Sequence, residues 1–62
     1  MAAEYRVRFL AVLAHLDQLT SEADRILAGP GDAEIGAWAE ELREHLVEMR
    51  AKVEEKLDRL AL

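Results

Sequence analysis

The sequence predicts an all-α fold: an antiparallel two-helix hairpin that pairs with a second copy to form a four-helix bundle. Three observations carry this reading. Two long stretches repeat apolar residues at alternating steps of four and three, a period of about 3.5 that marks helices packing knobs into holes. Glycine and proline cluster only once, at Gly29-Pro30-Gly31. The chain has 62 residues and no cysteine, so neither disulfides nor a large core are on hand to stabilise it.

The first helix is expected from about residue 3 to 28. Tyr5, Phe9, Val12, Leu16, Leu19, Ala23 and Ile26 form its seam, with Leu13 and Leu27 widening it. Ser21 followed by Asp24 resembles a capping signal, but the seam stays in phase through it, so one continuous helix is expected. The turn occupies 29–31. Proline lacks an N–H and disfavours helical geometry in the preceding residue. Gly29 suits the left-handed position after a helix end, and Asp32 suits the N-cap of the next.

The second helix is expected over about 33–60. Its acidic start (Asp32, Glu34) and basic end (Lys56, Arg59) both complement the helix dipole. Its seam is Ile35, Ala39, Leu42, Leu46, Met49, Val53 and Leu60, with Lys56 as the flaw and Leu57 as its replacement. Glu48–Lys52 and Glu55–Arg59 are favourable i,i+4 pairs. A short turn makes the helices antiparallel neighbours. Facing residue numbers then add to about 60–62, which matches Phe9 with Val53, Leu16 with Leu46 and Ala23 with Ala39. Tyr5, Phe9, Val12, Leu16, Leu19, Ile26, Ile35, Leu42, Leu46, Met49, Val53 and Leu60 are the expected bundle core.

Surplus apolar residues outside this seam point to a second contact. Val7, Leu10 and Ala14 on the first helix, with Val47 and Ala51 on the second, are the expected protein interface. Arg6, Arg43 and Arg50 would rim it. Trp38 joins it as an aromatic anchor or as a cover for the open end near the turn. Gly36 just before it either admits a neighbouring helix or leaves room for the indole.

Composition narrows the function classes. Net charge is −5, and residues 32–62 carry five basic against nine acidic side chains. Such a surface repels phosphate, so neither nucleic acid nor an anionic membrane is an expected partner. No stretch approaches the roughly 20 apolar residues of a membrane span, and the apolar run after Arg6 and Arg8 stops at His15 and Asp17 without a cleavage site. A cytoplasmic protein is expected.

No catalytic motif is present, and no cofactor is expected. Gly29-Pro30-Gly31 lacks the spacing and lysine of a phosphate loop, and Ser21 has no histidine at a helical spacing. His15 and His45 fall at one level of the hairpin, and Glu41 and Glu48 share a helical face with His45. These four are weak metal candidates, because the Glu-x-x-His pattern of di-iron bundles is missing.

In length and architecture the chain resembles the Rop-type dimeric hairpins, a likeness of shape that no motif in the sequence supports. That resemblance implies RNA contact through paired first helices, for which Arg6, Arg8 and Arg25 are the cations at hand. Asp17, Glu22 and Asp24 lie among them and oppose it. The expected function is a non-enzymatic association module, a homodimer that presents an apolar helical face to a protein partner.

Overall fold

The computed structural model describes residues 2–29 and 31–61, with the side-chain exposure of 3–29 and 31–60. It contains two helices, α1 (Ala2–Ala28) and α2 (Ala33–Ala61), packed antiparallel in a hairpin of 46 × 14 × 11 Å. Pro30, expected to help end the first helix, lies outside the described residues, as do Met1 and Leu62.

α1 runs through Thr20–Asp24 without a break. The Thr20 hydroxyl donates to the Leu16 carbonyl at 2.8 Å, so the side chain binds back to its own helix. The helix closes on a tightened turn, with the Gly29 N–H donating to the Ile26 carbonyl at 3.3 Å. The expected left-handed Gly29 is not found: none of the described glycines has a positive φ. The residue before proline is drawn toward extended backbone, and this helix therefore ends without a left-handed cap.

Asp32 starts α2 as expected of an N-cap. One carboxylate oxygen accepts from the Glu34 N–H at 2.8 Å and from the Ile35 N–H at 3.3 Å. Its carbonyl accepts from the Gly36 N–H at 2.9 Å, the first bond of the helix ladder.

The contact between the helices is a thin line. Leu16 and Ala23 of α1 and Ala39, Leu46 and Val53 of α2 are the buried apolar residues among those described. On each helix they recur every seven residues. Phe9, Leu13, Leu42 and Leu57 pack partly buried against Leu16, Leu46 and Val53. Toward the turn, Ala23 and Ala39 are the most completely covered residues, at 1% and 0% exposure, as small side chains permit where two backbones come close.

Several residues expected in the seam are not sheltered within the hairpin. Val12, Leu19, Ile26, Ile35 and Met49 are 38–54% exposed, and Tyr5 is 57% exposed. Leu13 and Thr20 are better covered. The cause is geometric. A helix pair encloses the central heptad line and parts of its flanks, whereas a wider face needs additional helices to cover it.

Candidate functional site

The heptad repeat sorts the rest of the surface into two flanks. Around α1, the line Phe9-Leu16-Ala23 is bordered on one side by Leu13-Thr20-Leu27 and then Leu10-Asp17-Asp24. On its other side come Tyr5-Val12-Leu19-Ile26 and then Arg8-His15-Glu22. Around α2, the line Ala39-Leu46-Val53 is bordered by Gly36-Arg43-Arg50-Leu57 and, oppositely, by Ile35-Leu42-Met49-Lys56. Because the helices are antiparallel, matching sides of the two fall on the same side of the hairpin.

One flank is ionic. Arg50 Nε donates to Asp17 at 2.7 Å, and Arg43 Nε donates to Asp24 at 2.7 Å. The two bridges lie one heptad apart and join α1 to α2. Arg50 also pairs with Glu54 on its own helix. The hydrogen bond that Arg50 donates to Asp17, with the charges of Asp17 and Glu54, raises the Arg50 pKa above its ordinary value, so the guanidinium is held charged. All of these side chains remain about half in water, where such pairs contribute little energy each. Their heptad spacing makes them markers of register.

The other flank is apolar and uncovered. Tyr5, Val12, Leu19 and Ile26 run along α1 beside Ile35, Leu42 and Met49 of α2. Apart from the partly buried Leu42, all are well exposed. Trp38, 58% exposed, borders this face with His45. A shallow groove there is lined by Trp38, Glu41, Leu42 and His45. A contiguous exposed surface of this kind is unusual for a chain that stays monomeric in water.

The residues expected at the interface are placed elsewhere. Leu10 and Val47, each 48% exposed, lie on the ionic flank in line with Asp17 and Glu54. Val7, Ala14 and Ala51 fall on the outer backs of the helices, exposed but apart from the apolar face. Of that group only Trp38 borders the exposed stripe. The proposed rim is divided as well, because Arg43 and Arg50 are engaged in bridges across the hairpin.

Other candidates disperse. Among the described residues no three His, Asp or Glu side chains converge into a metal-binding set. His15 and His45 stand at opposite edges of the apolar face, while Glu41 and Glu48 lie farther round α2. At Gly36 an added Cβ would meet nothing within 4 Å, so the glycine neither admits a helix of this hairpin nor makes room for the indole. Arg8 and Arg25, cations of the RNA reading, are paired with Glu4 and Glu22 along α1. The expected Glu55–Arg59 pair forms at 2.9 Å. Glu48–Lys52 is not among the ion pairs of the described residues.

One sequence signal does distinguish the flanks. Asp17 and Asp24 repeat at a heptad step on α1, and Arg43 and Arg50 do so on α2. Complementary charges at matching heptad steps mark the wet border of a seam, which leaves the opposite border for apolar contact. Comparison with known proteins adds nothing to this geometry: no family model, no curated protein and no solved structure matches the chain.

Proposed function

We propose that this chain is a non-enzymatic association module: a helical hairpin that assembles through its apolar flank and offers a helical surface to protein. The supporting observation is the row Val12, Leu19, Ile26, Ile35 and Met49, left 38–54% exposed on one side of the hairpin. The thinness of the internal core supports the same reading. Among the described residues, five buried ones, two of them alanine, lie between the helices. Ordering a chain costs roughly 1.5 kcal/mol per residue, and covering the apolar flank supplies burial that one seam lacks. A homodimeric four-helix bundle is the assembly we favour, in the cytoplasm, where a chain without cysteine is at no disadvantage. No described helix is long and apolar enough to cross a membrane.

The test is solution mass by light scattering over a dilution series, with helicity followed in parallel. Association that is lost together with helix on dilution is the expected result. A folded, monodisperse monomer at high concentration that also binds no protein through this flank refutes the reading. Salt-dependent retardation of RNA by the same samples would favour the nucleic-acid alternative. A large rise in melting temperature with a divalent metal would favour a His/carboxylate metal site.

A further inference from the structure

We infer that the apolar flank is covered by a second copy of this chain laid antiparallel, with α1 on α1, α2 on α2 and the two turns at opposite ends. This rests on the association reading above and adds the occupant and its orientation.

The available area suits a second copy. The broad face of the hairpin measures 46 × 14 Å, so two copies face to face bury at least about 1,200–1,300 Å² in total, within the range of specific protein interfaces.

Charge selects the orientation. In the antiparallel arrangement the two-fold axis passes near the middle of each helix, close to His15 in α1 and Val47 in α2. Val12 then meets Leu19 of the partner subunit, and Tyr5 meets the partner's Ile26. Along the border of α1, the ion pair Glu4–Arg8 lies against the partner's Glu22 and the partner's Arg25, a pair of inverted polarity. Arg8 faces the partner's Glu22, and Glu4 faces the partner's Arg25. Symmetry repeats this four-charge cluster on the other side of the axis. Along α2, Leu42 meets the partner's Met49, Glu41 meets the partner's Lys52, and Glu34 meets the partner's Arg59. Opposite charges thus meet along both borders.

Turning the second copy so that both turns lie at one end places α1 beside the other α2. Arg8 then stands beside the partner's Lys52, and Glu22 beside the partner's Glu41. These two contacts are like-charged and disfavour the arrangement. Glu4 then falls level with the partner's Arg59, so complementary pairs are fewer than in the antiparallel form, where they recur along both borders.

The experiment uses the full chain carrying Ala3→Cys, a unique thiol because the sequence has no cysteine. Ala3 is exposed on the ionic flank, away from the proposed contact. A nitroxide at this thiol reports the distance between copies by pulsed EPR. Antiparallel docking separates the two labels by about 24 residues of helix rise, roughly 35 Å along the bundle, which with its width of about 25 Å gives more than about 40 Å. Docking with both turns at one end keeps them level, within about 25 Å, some two helix diameters. The long distance is the expected result. The short distance overturns the orientation and leaves self-association standing. A folded monomer with no dipolar signal overturns the second copy as occupant, while the flank stays open to another protein.

Lys52→Glu supplies an independent sign. It should weaken the dimer roughly two- to tenfold by opposing the partner's Glu41, and Glu41→Lys in the same chain should restore affinity. Tightening by Lys52→Glu alone overturns the proposal, because that result places Lys52 beside the partner's Arg8.

Discussion

The two flanks of the hairpin are built on the same heptad geometry and differ in what completes them. On the ionic flank Asp17 and Asp24 meet Arg50 and Arg43 within a single chain, and water solvates what remains. On the apolar flank Tyr5, Val12, Leu19, Ile26, Ile35 and Met49 have no covering element among the described residues. The difference teaches that a regular apolar pattern records how much surface must be covered. Polar residues at its edges record which side of that surface the hairpin covers by itself.

Substitution at the shared line should have the largest effect. Leu46 is 7% exposed and sits between the flanks. Leu46→Ala should cost about 2–4 kcal/mol, read by denaturant unfolding, because the side chains packed around it fill the vacated space only in part. A cost below about 1 kcal/mol would show that the line is not the core of the folded unit.

The contrast between the flanks is broken most directly by matched charge substitutions. Leu19→Glu should weaken association by about 2 kcal/mol or more, since the carboxylate is desolvated in the assembly. Val47→Glu, on the ionic flank and exposed to a similar degree, should change it by less than about 0.5 kcal/mol. The mass distribution on dilution checks both. Equal effects would mean that the flanks are not functionally distinct. Trp38, the one tryptophan, provides an optical readout, with emission that shifts to the blue on assembly if its edge of the apolar flank is covered.

The start of α2 lies at the end of both flanks and serves as a control. Asp32→Ala removes the acceptor of the Glu34 and Ile35 N–H groups and should lower stability by about 1 kcal/mol without changing partner or orientation. Gly36→Ala should act in the opposite direction, raising stability by about 0.5–1 kcal/mol in thermal unfolding, because the site is helical with open space at the added methyl. A loss at Gly36 would reveal a neighbour close to that backbone in the assembled state.

The smallest effect belongs to the bridges. Arg50→Gln should lower stability only slightly, and less at high salt. The raised pKa of Arg50 implies stability that is complete below the ordinary arginine range and is lost as pH rises through the elevated value. Arg50 deprotonation therefore contributes no pH dependence near neutrality. A loss of stability between about pH 6 and 9 traced to Arg50 would contradict this.

Much of the fold was legible in local chemistry. The heptad steps imposed two helices, the first ends at Ala28 just before Gly29, and Asp32 opened the second, each through forces acting within a few residues. Pairing small with small also picked out Ala23 and Ala39, the most completely covered of the buried residues. Allocation of the apolar residues was not legible in the same way. Val12 and Leu16 look alike in a heptad pattern, yet one is 43% exposed and the other 8%, because that outcome depends on how far a second helix reaches around the first. Leu10 and Val47, expected at the interface, fall on the ionic flank and stay exposed, a placement set by the same rotation of the helices.

The sequence by itself therefore determined the helices, their ends, the turn and the antiparallel register, since periodicity, capping and chain connectivity are properties of neighbouring residues. Only the tertiary structure decided which heptad line is buried and that Tyr5, Val12, Leu19, Ile26, Ile35 and Met49 share one flank opposite the Asp–Arg bridges. The rotation of each helix about its axis is a balance among Ala23, Ala39, Leu16, Leu46 and Val53 on one hand and the bridges from Arg43 and Arg50 on the other. Such a balance exists only when two surfaces meet.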